Sequence, residues 1–385
     1  MKIVHICLAS FFPDNYSYQE NMLPKFHKKQ GYDVEVIASL VTFDKNGKST
    51  LLGEARQYRN EYDIKVTRLD YKSPRKLYRT LRRYNGFREA LYNANPDILF
   101  IHGCQFLDID IISKYAKTHN ITIYVDNHAD FSNSATNWLS KTIKHGIIWK
   151  HCAKVIEPYT KRFYGVLPIR VEFLKKVYGL PEEKCKLLVM GADDELVDAA
   201  DRPEIKKAIR DRYNIAEDDF LIMTGGKIDQ WKTQTLLLME AVKKIENPKV
   251  KLIVFGSVTQ ELLDKVKALS DGKKIQYVGW IQSTQSYKYF AASDLVVFPG
   301  RHSVFWEQVA AQGIPMVCKY WEGTNHVDIG GNVKFLYNDS VDEIYNIIKF
   351  LLQNKDEYIK MKKFANLRGK IAFSYEDIAK RALQE

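Results

Sequence analysis

Residues 295–319 read LVVFPGRHSVFWEQVAAQGIPMVCK. Leu295 to Phe298 has the length and apolar character of a buried strand, and Pro299-Gly300 turns the chain. After Arg301-His302-Ser303 the pattern becomes helical and stops at Gly313. Ile314-Pro315 then leads into a second apolar run, Met316 to Cys318. Strand, helix and strand in this order read as one βαβ unit, with a polar, cationic loop at the C-terminal end of its first strand. In open α/β sheets ligands bind at that end, where helix N-termini offer unpaired N–H groups to anions. An Arg and a His in that loop predict a phosphorylated ligand.

The same alternation runs through the whole chain. Strands are expected at Ile3 to Ala9, Asp33 to Ala38, Ile64 to Leu69, Ile98 to His102, Ile121 to Val125, Lys154 to Glu157 and Leu187 to Met190. A second series is expected at Phe220 to Thr224, Lys251 to Phe255, Ile275 to Val278, Leu295 to Phe298 and Met316 to Cys318. Near-continuous apolar runs suit parallel strands covered on both faces. The fold class is therefore α/β with two doubly wound domains. The chain turns polar between about residues 192 and 217, where a linker through Pro203 is expected to lead into a short helix. The expected domains are 1–192, 193–365 and a C-terminal helical segment, 366–385, whose last helix is opened by Ser374 with Asp377 close to a capping box.

The length of 385 residues fits about two domains, and 45% hydrophobic with 27% charged residues is ordinary for a globular chain. No apolar run is long enough to span a bilayer, and the N-terminal run reads as a first strand rather than a signal peptide. The five cysteines are scattered without a C-x-x-C pair, which fits free thiols in a reducing cytoplasm and gives no metal spacing. A net charge of +11 favours an anionic partner without choosing among nucleic acid, acidic lipid and phosphorylated substrate.

Several segments, in order, resemble the family-4-type glycosyltransferases, whose two Rossmann-like domains (the GT-B fold) face a central cleft. They are the opening MKIVHICLASFFPDN, Gly31 to Ile37, Pro96 to Gly103, Val125 to His128, Val189 to Asp193 and Phe373 to Ala379. The resemblance implies a nucleotide-sugar donor on the second domain and an acceptor on the first. In Thr224-Gly225-Gly226-Lys227-Ile228-Asp229-Gln230-Trp231-Lys232 a strand ends in a glycine pair, which lets backbone approach a ligand. Lys227 and Lys232 stand where the family holds the donor diphosphate with an Arg and a Lys. Positive charge there stabilises the leaving nucleotide diphosphate, although Lys lacks the bidentate geometry of Arg.

The family's Glu-x7-Glu pair is absent. Its positions fall on Gly300 and Gln308, with Glu307 one step away. Gln308 is a candidate for the ribose hydroxyls, and His302 with Ser303 for the contacts of the first Glu. Gly300, Arg301 and Glu307 complete the expected donor loop. Alternatively, Glu307 and Gln308 form only the polar face of a helix.

His128, in DNHADFSNSA, ends a strand between Asp126 and Asp130. The resemblance implies a position near the sugar, where a His can bond a hydroxyl or move a proton. Asp130 is the runner-up base. If the reaction retains configuration, as the family mostly does, the leaving phosphate itself can take the proton. Glu20, in the first strand-to-helix loop, is expected to have an acceptor-side or lid role at most. Residues 72–88, KSPRKLYRTLRRYNGFR, carry seven basic side chains and no acid. They are expected to form one helix from Pro74, with Leu77, Leu81, Tyr84 and Leu91 on one face, able to lie on an anionic membrane.

The resulting expectation is a hexosyl-type glycosyltransferase with a UDP-sugar donor and a glycan or lipid-linked acceptor. Its expected setting is bacterial surface polysaccharide synthesis, in the cytoplasm or peripheral on the inner face of the plasma membrane. No metal, cofactor or nucleic-acid partner is expected. The alternatives are a sugar-nucleotide epimerase on the same fold and a non-catalytic binding partner.

Overall fold

The computed structural model describes residues 1–44 and 49–384. The chain divides into two units, Met1–Val189 with Ile378–Glu385, and Met190–Asp377.

The first unit is built on β1 (Lys2–Cys7), β2 (Asp33–Ser39), β3 (Val41–Phe43), β4 (Ser49–Leu51), β5 (Arg56–Arg59), β6 (Lys65–Leu69), β7 (Ile98–His102), β8 (Thr122–Asn127), β9 (Thr160–Gly165) and β10 (Cys185–Leu187). Eight of these form one sheet in the order β10-β9-β8-β7-β1-β2-β6-β5, and β3 pairs with β4 separately. Every neighbour in the large sheet is parallel except β5, which runs antiparallel to β6 at one edge. The central strand β7 is buried at all its positions, as a strand covered on both faces must be. The chain returns to this unit at its end: Tyr124 Oη donates to Leu383 O (2.6 Å) and Tyr164 Oη to Ala382 O (3.2 Å).

The second unit holds β11 (Phe220–Gly225), β12 (Val250–Phe255), β13 (Ile275–Tyr277), β14 (Leu295–Phe298), β15 (Met316–Lys319) and β16 (Val333–Leu336). Their order is β13-β12-β11-β14-β15-β16, parallel throughout. Numbered within the unit this is 3-2-1-4-5-6, the dinucleotide-fold order, whose ligand crevice opens where the order reverses, between β11 and β14. The 295–319 stretch is β14, a helix over Phe305–Ala311 and β15, with Gly313 in the left-handed region (φ 70°) just past the helix.

Four expectations need correction. Lys154 to Glu157 is not a strand: Lys150–Ile156 is helical, and its buried Cys152, Ala153 and Ile156 follow helical spacing. The strand lies later, as β9, where TKRFYG has no apolar run. Residues 72–88 are not one helix. Arg75–Leu81 ends at Arg82 in the left-handed region, and a new helix covers Phe87–Ala94. Tyr84 sits between them, buried and bridged to Tyr71, so the supposed apolar face does not exist. The polar stretch around Pro203 is not a loose linker: helices Asp194–Ala200 and Pro203–Arg212 both pack on the helix Ser283–Ala291. Finally, one helix runs through residue 366, from Lys355 to Phe373, and packs on Phe305–Ala311. Only the following helix, Tyr375–Gln384, reaches the first unit; Ser374 Oγ accepts from Asp377 N (3.2 Å) at its start.

All five cysteines are buried free thiols. Among the described residues no helix is long and apolar enough to cross a membrane.

Candidate functional site

In the second unit, the loops after β11 and β14 enclose a pocket at the point where the strand order reverses. Gly226, Lys227, Lys232, Gly300, Arg301 and Ser303 line it. The two glycines after β11 differ in purpose. Gly225 is a packing position, because a Cβ there would lie 2.2 Å from the Phe255 ring. Gly226 carries the turn, with φ 129°. Close approach to a ligand is therefore not what Gly225 provides. A Cβ on Gly300 would lie 3.8 Å from the Lys232 Cα, so the two loops pass close together there.

Three cations converge in this pocket. Burial lowers the Lys232 pKa, Asp229 raises it, and Arg301 and Lys227 lower it further, leaving it below the ordinary lysine value. Asp229 is 3.5 Å from Lys227 Nζ and caps its own loop by accepting from Trp231 N (2.9 Å). Arg301 lies over the exposed Trp231 ring, 4.9 Å from its centroid. A cluster of positive groups held partly out of water is a site short of negative charge, and a diphosphate would supply it.

Behind this pocket, His302 and His326 both bond one buried carboxylate. His302 Nε2 and His326 Nε2 each lie 2.8 Å from Glu307 Oε1. Burial would raise the Glu307 pKa, but the two histidines reverse that and hold it down at about 2. The carboxylate accepts, so both histidines carry their proton on Nε2, and the Nδ1 of His302 is left as an acceptor. His326 was not singled out from the sequence. It stands in the loop after β15, which Asn332 pins by donating to Val327 O (3.0 Å) and accepting from Ile329 N (2.8 Å). The available signal was its place, at the same end of the sheet as the 300–303 loop. Gln308 is not brought to the pocket: its side chain is 1% exposed and accepts from Ser286 Oγ (3.3 Å). Glu307 is likewise a partner of histidines rather than part of the pocket wall.

In the first unit, His128 follows β8. Its Nε2 is sealed from solvent, 3.5 Å from Asp126 Oδ2 and 3.7 Å from Glu20 Oε1. Burial disfavours its charged form, but Glu20 and Asp126 outweigh this and raise its pKa. Glu20 was read as a marginal loop residue; the structure sets it in the first turn of the helix Gln19–Lys29, facing His128. Asp130 is a poor base. It accepts from Ser132 N (2.7 Å), Ser132 Oγ (2.6 Å) and Arg170 Nε (2.9 Å), and although burial opposes ionisation these partners keep its pKa low. Asp130 shapes the loop that carries His128.

Behind Asp126 lies a buried array that the sequence reading missed. Asp126 Oδ2 meets His102 Nδ1 (2.7 Å), His102 Nε2 meets His5 Nδ1 (3.0 Å), His5 Nε2 meets His27 Nδ1 (3.0 Å) and His27 Nε2 meets Ala379 O (3.0 Å). Both ends accept, so the four bonds need four protons, one more than three neutral rings hold. Burial lowers the pKa of His5 well below the ordinary value, and that of His27 to about 4.

His302, Glu307 and His326, and separately His102, Asp126 and His128, gather three donor atoms within 4.8 Å. In the first set 2.8 Å contacts join both histidines to Glu307, whereas in the second only His102 and Asp126 are hydrogen-bonded, with His128 Nε2 3.5 Å from Asp126 Oδ2.

The sheet orders and the pocket at the β11/β14 reversal define a two-domain, GT-B type α/β protein. Residues 205–368 match the family described as Glycosyl transferases group 1. A curated relative from Campylobacter jejuni subsp. jejuni serotype O:2 is 24% identical over 221 residues. It is N-acetylgalactosamine-N,N'-diacetylbacillosaminyl-diphospho-undecaprenol 4-alpha-N-acetylgalactosaminyltransferase, and the match spans 56% of each chain, little more than half the relative's length. The Anabaena protein Alr3699/HepE, crystallised with UDP, superposes with a TM-score of 0.69 at 16% identity, over 99% of this chain and 98% of that one. UDP-GlcNAc 2-epimerase from Neisseria meningitidis, bound to UDP-GlcNAc, has a TM-score of 0.64 at 12% identity, over 99% and 98%.

Proposed function

We propose that this chain is a glycosyltransferase that moves a sugar from a nucleoside diphosphate donor, a UDP-sugar, to a glycan or lipid-linked saccharide. The observation that carries the reading is the convergence of Lys227, Lys232 and Arg301 on the crevice of a dinucleotide-ordered sheet. As the glycosidic bond breaks, charge grows on the departing diphosphate, and preorganised cations stabilise it. His302, oriented by Glu307, offers Nδ1 to a sugar hydroxyl. The acceptor belongs beside His128 on the first unit. Its hydroxyl proton passes to the leaving phosphate if configuration is retained, or to a base near His128 if it is inverted. The relative whose name specifies a diphospho-undecaprenol substrate supports a lipid-linked acceptor, and we propose with it a setting in surface polysaccharide synthesis at the cytoplasmic face of a membrane.

The test is release of nucleoside diphosphate from a panel of nucleotide sugars, with and without acceptor extracts. Acceptor-dependent release is expected with a UDP-sugar. The epimerase likeness in fold motivates a second reading, acceptor-independent turnover of the sugar nucleotide alone. Tight binding with neither turnover would make the chain a non-catalytic partner and end both enzyme readings.

A further inference from the structure

The segment between Phe131 and Trp149 carries an apolar surface that neither site uses. Trp138, Leu139, Ile143 and Ile147 are 73%, 59%, 40% and 61% exposed. Leu139, Ile143 and Ile147 recur every fourth residue along Leu139 and the π-helix Ser140–Trp149, so they share one side, with Trp138 beside them. The inward side is already satisfied. His145 Nε2 bonds Ser134 Oγ (2.8 Å) and its Nδ1 bonds Tyr178 Oη (2.9 Å), while Trp149 is buried under the Arg82 guanidinium, 5.5 Å from the ring centroid. The outward stripe is therefore surplus to the core. Monomeric proteins seldom leave such a group of large apolar side chains contiguous and wet.

The charges around the stripe have one sign. From Phe131 to Ile156 the sequence contains Lys141, Lys144, Lys150 and Lys154 and no carboxylate. Lys141 leans over the exposed Phe131 ring, 5.2 Å from its centroid. Arg82, by its contact with the buried Trp149, brings the basic 72–88 segment against the inward side of the same helix. Much of that segment is spent internally, since Lys72 and Arg83 pair with Asp108, Arg75 with Asp70, and Arg82 with Gln105 O. Its helix nonetheless leaves Leu77 51% exposed.

We infer that Trp138, Leu139, Ile143 and Ile147, with the exposed Lys144 at their edge and the exposed Lys141 on the same segment, form a surface that inserts into the headgroup region of an anionic bilayer. Apolar side chains that include a Trp, set in a cationic rim, match the interface between acyl chains and anionic headgroups. A second copy of the chain fits less well, because pairing like patches would bring the lysines of one copy against those of the other. The expected membrane contact thus shifts from the 72–88 segment to 138–147. In purpose the inference rests on the proposed lipid-linked acceptor; its evidence is the surface itself.

Sedimentation with vesicles tests it, using phosphatidylcholine alone and phosphatidylcholine mixed with phosphatidylglycerol. The native chain should bind the mixed vesicles and leave the neutral ones largely unbound. Leu139→Ser with Ile143→Ser and Ile147→Ser should reduce binding by about tenfold or more, and Lys141→Gln with Lys144→Gln by about tenfold, the latter loss fading as salt rises. All five positions are exposed or line the rim, and unchanged thermal melts would confirm that the variants fold. Native-like vesicle binding by the apolar triple variant would overturn the inference, as would no binding by the native chain. So would a dimer of the native chain that the triple variant abolishes while vesicles have no effect. Vesicle binding without sugar transfer would leave this inference standing and remove the transfer reading; transfer to a soluble acceptor without vesicle binding would do the reverse.

Discussion

Glu307 stands one position before the residue that the family spacing selects, and on a helix one position is a rotation of about 100°. That rotation turns Gln308 toward Ser286 and Glu307 toward His302 and His326. The buried carboxylate that spacing sought is present, but it is bonded to two histidines. Glu307→Gln keeps the volume and removes the charge. If His302 works on the sugar, kcat for diphosphate release should fall about 10- to 100-fold, with donor KM changed less than about twofold. An unaltered rate would remove Glu307 and His302 from the reaction. Lys232→Ala is a different kind of change. It removes a partly buried cation that already repels Arg301 and Lys227, so the empty protein should fold as well as before while donor affinity falls about tenfold or more by calorimetry. Unchanged affinity would mean the diphosphate binds elsewhere.

At the scale of elements, the end of β12 controls the loop that carries Lys227. Gly256 has φ 130°, and a Cβ on it would stand 1.9 Å from Gly226 O, a backbone atom that cannot step aside alone. Gly256→Ala should therefore displace the 226–232 loop. It should destabilise the protein by about 1–3 kcal/mol and weaken donor binding together. Retained affinity in a destabilised variant would separate the two effects and refute the coupling. The same element shows what the sequence could reveal. β11, β12, β14 and β15 were readable because each is a buried apolar run, and the glycine pair after β11 marked a turn. Gly256 was not, because its role depends on which loop crosses it. β9 and β16 were missed since TKRFYG and VKFL are short and mix charged with apolar residues, and Lys154 to Glu157 was misread because β-branched residues also pack in helices. In the first unit, His102 and Asp126 are register partners on adjacent parallel strands. Period and pairing would have joined them had the strand order been known. His27, on a helix, had no such signal.

At the scale of the whole molecule, the two units place their buried titrations in different pH windows. His5, His27 and His145 belong to the first unit and all have lowered pKa values, chiefly through burial, His27 and His145 to about 4. A histidine kept neutral in the native state stabilises it fully above the unfolded value of 6.5, and that contribution is lost as pH falls toward the native value. Each such group costs about 1.4 kcal/mol per pH unit within its window. His128 acts oppositely: its raised pKa gives stability that is present in acid and lost as pH rises through its native value. In the second unit the large buried shift is on Glu307, held at about 2 against an ordinary 4.5, so its contribution persists until pH falls below the carboxylate range. Acidification from neutrality to about pH 5 should thus weaken the first unit while leaving the Glu307 contribution of the second intact. Hydrogen exchange followed by peptide should show amides of β1, β7 and β8 losing protection before those of β11, β14 and β15. Simultaneous loss, or earlier loss in the second unit, would show that the buried histidines of the first unit do not set its acid stability.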